Sequence, residues 1–190
     1  MENLSEKQTA WILAGYELFA QEGPNGLKVE VLSRKVNKSK SSFYHHFADL
    51  EIFTSFLLAY HLDQSKIIAE KERQCKNVIP ELLEVILEHK QDLLFNRQLR
   101  INRTNPRFFQ CFQEASKEVA EAILGIWAEG LGMTDHSSLA LMVLNLSMEN
   151  FYLQITEETL TYEWLEAYFQ QLQAMAHEMN KRSKLDIPIP

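Results

Sequence analysis

The chain has 190 residues, enough for one ample core or for a small domain beside a larger one. Apolar residues at 46% and charged residues at 24% are ordinary for a globular protein, and six glycines with five prolines argue against a turn-rich β architecture. A net charge of −7 excludes a protein that coats nucleic acid indiscriminately, no run of about 18 uncharged apolar residues offers a membrane span, and the opening residues lack the pattern of a secretory signal, so a cytoplasmic location is expected.

Ser5 with Gln8 three residues later reads as a capping box, and Ile12, Gly15, Tyr16 and Phe19 then recur at helical spacing until Gly23-Pro24 ends the first helix. Val29, Leu32 and Val36 keep that spacing through a second segment of about two turns. Asn37 tolerates the left-handed conformation of a tight reversal, and Ser39 is a natural N-cap for a short third helix holding Phe43 and Phe47. Asp49 caps a long helix running through Phe53, Phe56, Leu57, Tyr60 and Ile67 to the charged stretch Glu70-Lys71-Glu72-Arg73.

Asn77-Val78-Ile79-Pro80 predicts a helix start with proline in the first turn, and Leu83, Ile86, Leu87, Leu93 and Leu94 carry that helix to about Phe95. After a break at Asn102 to Pro106, the stripe Phe108, Phe112, Ala115, Val119, Ala122, Ile123, Ile126 and Trp127 is strongly amphipathic and stops at Gly130 and Gly132. Thr134-Asp135 is a candidate cap for a helix to about Ile155. Its apolar residues occupy two faces, Leu139, Met142, Val143 and Leu146 on one and Leu141, Leu144, Met148, Phe151 and Tyr152 on the other, so both sides call for cover. The last helix, near Thr161 to Lys181, carries Trp164, Leu165, Tyr168, Phe169, Leu172, Met175, Ala176 and Met179, and the tail Lys184 to Pro190 is expected to fray.

The chemistry concentrates between Lys28 and Phe47, where Lys28, Arg34, Lys35, Lys38 and Lys40 stand against Glu30 alone. A helix-turn-helix lays its second short helix in the DNA major groove and needs a few apolar residues to brace it, here Leu32, Val36, Phe43 and Phe47. Lys38, Ser39, Lys40, Ser41, Tyr44 and His45 then face outward. Lysines neutralise phosphates, hydroxyls fix register, and Tyr44 and His45 reach phosphates or base edges. Solvated surface charge is the plain alternative for Arg34, Lys38 and Lys40.

The run Ser39-Lys40-Ser41-Ser42-Phe43-Tyr44-His45-His46-Phe47, with Phe19-Ala20-Gln21-Glu22-Gly23 before it, resembles the N-terminal domain of the tetracycline-repressor (TetR) family over about residues 5–60. The resemblance implies an all-α fold, with an N-terminal three-helix helix-turn-helix DNA-binding domain over 1–48 and a C-terminal helical ligand-binding and dimerisation domain over 49–190. It further implies a repressor that binds a palindromic double-stranded DNA operator as a homodimer, through helices at about 135–155 and 161–181, and is released by a small-molecule effector. By the same likeness Tyr44 and His45 match DNA-backbone contacts, Lys40 matches a recognition-helix contact, and Asn37 fills a turn position usually held by glycine. Three departures stand out: Lys28 replaces a capping threonine or serine, Lys38 a small apolar residue, and Leu50 a lysine. They motivate the alternative of a helical sensor or interaction module that has lost DNA binding.

An effector cavity calls for apolar walls with a few polar groups. Phe95, Phe108, Phe112, Trp127, Phe151 and Tyr152 are candidate walls, with His89, Asn96, Arg103 and Asn145 as candidate polar anchors; core packing is the competing reading of the aromatics. No HExxH, P-loop, GxGxxG or nucleophile elbow is present, and none of the six histidines has a glutamate three residues before it, so neither catalysis, a cofactor nor a metal is expected. Cys75 and Cys111 form no CxxC pair, and reduced thiols are expected. Cys111 becomes a redox sensor only if its pKa is lowered.

Overall fold

A computed structural model describes residues 6–184, with side chains from 8 to 178, and every regular element among them is helical. The Ser5 cap, the Met179 side chain and the tail after Lys184 lie outside the described residues. No helix among them is long and apolar enough to cross a membrane.

Helix α1 (Glu6–Glu22) ends at Gly23, whose φ of 67° any side chain would resist, and a 3-10 turn over Gly23–Gly26 follows. α2 (Val29–Val36) and α3 (Lys40–His46) are short. α4 (Leu50–Gln74) opens on Asp49, whose carboxylate accepts the Ile52 N–H at 2.8 Å, the cap expected there. Its inner face is Phe53, Leu57, His61, Ser65, Ile68, Ala69 and Glu72, whereas Ile67 lies exposed.

The predicted helix from Asn77 to Phe95 is interrupted. The Asn77 side chain accepts the Glu81 N–H, but a π turn over Val78–Leu82 with extended Ile79 makes the entry irregular, so Pro80 does not sit in a plain first turn. α5 (Leu83–Glu88) and α6 (Lys90–Ile101) are separated at His89, which leaves the helical region (φ −103°, ψ 28°). Apolar periodicity reads straight through this joint because Leu83 and Ile86 before it and Leu94 and Phe95 after it are buried; the break falls at His89, whose ring meets Asp92.

α7 (Pro106–Gly130) matches its stripe. It closes through the Met133 N–H to the Ala128 carbonyl, with Gly132 at φ 64°, and a turn from Met133 to His136 follows. That turn absorbs Thr134 and Asp135, so α8 (Ser137–Gln154) starts later than predicted, on His136 and without a side-chain cap. α9 is Tyr162–Lys184, opened by the Thr161 hydroxyl accepting the Trp164 N–H.

The chain forms two compact units, with α4 and α7 contributing residues to each. The first comprises the chain to Ile68 together with His89–Val119. In it α1 packs chiefly on α6, and the core is aromatic. Phe95 stacks on Tyr16 and on Phe19 with ring centres 4.3 Å apart in each pair, while Phe53 meets Phe43 at 5.3 Å and Phe47 at 4.9 Å edge-on. Such pairs add about 0.5–1.5 kcal/mol each beyond area burial. Gly15 is needed here, because a Cβ on it would run into the Phe53 ring. The second unit comprises Ala69–Glu88 and the chain from Ala120 onward, where α5 packs on α9 and Trp127 meets Phe169 edge-on at 5.7 Å.

Candidate nucleic-acid interface

α2 and α3 are joined by three residues whose geometry is local chemistry. Asn37 takes the left-handed conformation (φ 54°, ψ 48°), its N–H and that of Lys38 return to the Arg34 and Ser33 carbonyls, and Ser39 accepts the Ser42 N–H at 3.2 Å to start α3. Below the turn, Leu32, Phe43 and Phe47 are buried, and Trp11 meets the Phe43 ring at 5.5 Å. α3 is thus held from one side only. Lys28 precedes α2 in an extended conformation and makes no side-chain cap bond.

Lys28, Arg34, Lys38, Ser39, Lys40, Ser41, Tyr44 and His45 are all exposed, with 56% of Tyr44 open to solvent, while His46 is half-buried. Arg34, Lys38, Ser39 and Lys40 come together around an open concavity of about 780 Å³ between α2, the turn and α3, together with Glu30, Ser33 and Asn37. Lys28, Ser41, Tyr44 and His45 are outside its lining. The last three lie on α3 beyond Lys40.

Two ion pairs order the surface: Lys35 with Glu17 at 2.8 Å, and Lys40 with Glu30. The hydrogen bond from Lys40, with its charge and that of Arg34 behind it, holds the Glu30 carboxyl below its ordinary range. Glu30 was visible in the sequence only as the lone acid of a basic stretch. Its pairing with Lys40 depends on the Asn37 reversal, which sequence spacing does not display.

The residues nominated for a ligand cavity divide between the units. In the first, Phe95, Phe108 and Phe112 are buried, Phe108 edge-on to Phe19 at 5.5 Å, and Arg103 is exposed. His89 is half-buried, its Nδ1 at 3.1 Å from Asp92 Oδ2. In the second, Trp127, Phe151 and Tyr152 are buried and Asn145 is exposed on α8. The Trp127 Nε1 donor and the Glu72 Oε2 acceptor are both buried there without a hydrogen-bond partner.

A polar chain in the first unit escaped the sequence reading. The Tyr16 hydroxyl donates to Asp92 Oδ1 at 2.7 Å, His61 Nδ1 lies 2.6 Å from that hydroxyl, and His61 Nε2 meets the Asn96 amide at 3.3 Å. α1, α4 and α6 are thereby tied together inside the core. Burial lowers the His61 pKa to about 4, and burial followed by the Asp92 charge raises that of Tyr16. The only outward signal was a tyrosine and a histidine within otherwise apolar stripes.

Cys111 is also buried, its thiol facing the Leu58 carbonyl, and burial pushes its pKa up to about 12, the opposite of what a redox sensor needs.

Residues 12–51, the span from α1 to the start of α4, match the family model described as bacterial regulatory proteins, tetR family. The N-terminal domain is a tetR-family domain. No curated protein sequence matches the chain. In overall fold the chain is similar to a transcriptional regulator from Rhodococcus sp. Rha1 (TM-score 0.66, 13% identity, 90% of this chain and 96% of the other covered). It is similar also to Salmonella enterica GusR (0.60, 13%, 94% and 98%) and to the fatty acid degradation regulator FadR of Bacillus halodurans (0.58, 16%, 90% and 97%). At these identities the likeness is one of fold. The all-α architecture with a helix-turn-helix in a tetR-family domain is the one the sequence led us to expect.

Proposed function

We propose that this tetR-family chain is a transcriptional repressor whose part over 1–48 reads a palindromic operator and whose part over 49–190 dimerises and binds a small effector. The observation that carries DNA recognition is one-sided support of α3: Phe43 and Phe47 are buried, whereas Lys40, Ser41, Tyr44 and His45 are exposed beside Lys28, Arg34, Lys38 and Ser39. That is the arrangement a major-groove helix requires, with lysines and hydroxyls for phosphates and a tyrosine and histidine within reach of the duplex. Gel shifts with genomic fragments retained by the wild type test the reading. Tyr44→Ala is expected to weaken binding at least several-fold, and equal binding by both proteins refutes the assignment of this face.

Homodimerisation is supported by α8. Its buried face is Ala140, Val143, Leu144, Ser147 and Phe151, yet Leu141, Met142, Leu146 and Leu153 remain exposed, with Leu146 65% open. Met175 of α9 is exposed as well. A second copy offering the same stripe would cover these residues by two-fold symmetry, and two-fold symmetry sets recognition helices roughly 34–36 Å apart on a palindrome.

Effector binding is supported by the unpaired Trp127 and Glu72 atoms, since buried polar groups ordinarily have partners. An effector shifts the dimer to a geometry that no longer matches successive grooves, which relieves repression. The alternative, a module that has lost DNA binding, is favoured by the uncapped Lys28 and by the engagement of Lys40 with Glu30. Binding of wild-type protein to duplex DNA that weakens with salt eliminates it.

A further inference from the structure

We propose that Glu30 is a specificity-determining residue of the DNA interface: it holds Lys40 on the protein until an operator base or phosphate in the correct place takes the lysine over. This rests on the DNA-binding reading above.

Three features of the site lead here. Glu30 lies in the first turn of α2 and Lys40 is the first residue of α3, and the Asn37 reversal brings their side chains into contact across the open concavity. Both are more than half exposed, 59% and 55%, so the pair does little for the stability of the fold. The other charged residues lining the same concavity, Arg34 and Lys38 beside Lys40, are basic, so Glu30 is the single carboxylate in its lining.

A carboxylate so placed opposes indiscriminate DNA binding by neutralising the lysine that starts the recognition helix. On arbitrary DNA nothing replaces the ion pair well enough to open it, so Lys40 adds little. On a sequence that presents guanine O6 and N7, or a phosphate held at the right distance, the ammonium exchanges one acceptor for a better set. Glu30 then lowers indiscriminate affinity more than operator affinity, and the ratio between them rises.

The test compares wild type, Glu30→Gln, Lys40→Gln and the double variant. Each is titrated against a random-sequence duplex and against the duplex pool that wild type selects from genomic fragments, over a range of salt. Glu30→Gln is expected to bind the random duplex several-fold more tightly. Its salt slope is expected to steepen by about 0.9, the increment of one added phosphate contact. The gain is expected to be smaller on the selected pool and to vanish when Lys40 is also glutamine. A gain that persists in the Lys40→Gln background reports simple charge removal and overturns the proposal, as does an equal gain on both DNAs or none on either. If wild type binds DNA normally in those cases, the DNA-binding reading survives alone. If wild type binds no duplex at all, both fall together.

Discussion

The inner face of α4 buries a titratable base in the first unit and a titratable acid in the second, and the two are treated differently. His61 is bound into a chain with Tyr16, Asp92 and Asn96, and burial depresses its pKa to about 4. Glu72, about three turns further on, has one carboxyl oxygen buried without a partner, and burial raises its pKa to about 8. Burial penalises the charged form of both, but His61 has a partner on each ring nitrogen, whereas one Glu72 oxygen has none. The lesson is that one helix can support a satisfied polar joint at one end and an unfinished one at the other. An unfinished joint is where a ligand has most to contribute.

The two sites have opposite dependence on pH. Glu72 has a folded pKa above its unfolded value of 4.5, so its contribution is fully present below about 4.5 and is lost as pH rises towards 8. The full loss, reached above about 8, is on the order of 5 kcal/mol, the largest effect expected. Glu72→Gln should therefore be more stable than wild type at pH 8 by denaturant unfolding and should lack that slope. An unchanged slope in the variant removes Glu72 from the account.

His61 has a folded pKa below its unfolded value of 6.5, so its contribution is complete above about 6.5 and disappears as pH falls through 4, on the order of 3 kcal/mol in all. In wild type the two trends offset each other between about 4.5 and 6.5. His61→Gln should expose the Glu72 trend there, so that stability rises on acidification, and a variant that tracks wild type breaks the comparison.

Tyr16→Phe isolates the joint of the first unit. It removes the hydroxyl that lies between His61 and Asp92, and a loss of about 1–3 kcal/mol is expected in urea titrations because both partners stay buried or nearly so. Leu146→Asp should have the least effect on the folded subunit, within about 0.5 kcal/mol, because the residue is exposed. Sedimentation should nevertheless show a lighter species than wild type; an unaltered mass counts against the proposed dimer through α8.

What could be read from the sequence was decided within a few residues of chain. Asn37, Ser39 and Asp49 act on backbone groups two to four positions away, and each does in space what its residue type predicts. Local patterning also placed Phe43 and Phe47 inward and Tyr44 and His45 outward. What stayed hidden is set by groups distant in the chain. The joint at His89 lies inside an apolar period that continues across it, the Glu30 contact with Lys40 needs the completed turn, and Tyr16 reads as an ordinary apolar position until Asp92 is brought beneath it. The start of α8 was misplaced for a related reason: the turn after Gly132 consumes Thr134 and Asp135 before a helix can begin.

The glycine that closes α1 has a neighbour whose importance reaches beyond conformation. The side chain of Gln98 on α6 fills the space where a Cβ on Gly23 would stand, and its amide donates to the Gln21 carbonyl at 3.3 Å. The exit of α1 is therefore fastened to α6 by an amide just before the turn into α2. A displacement of α6 would be felt there as well as at α4, which meets α6 through His61 and Asn96.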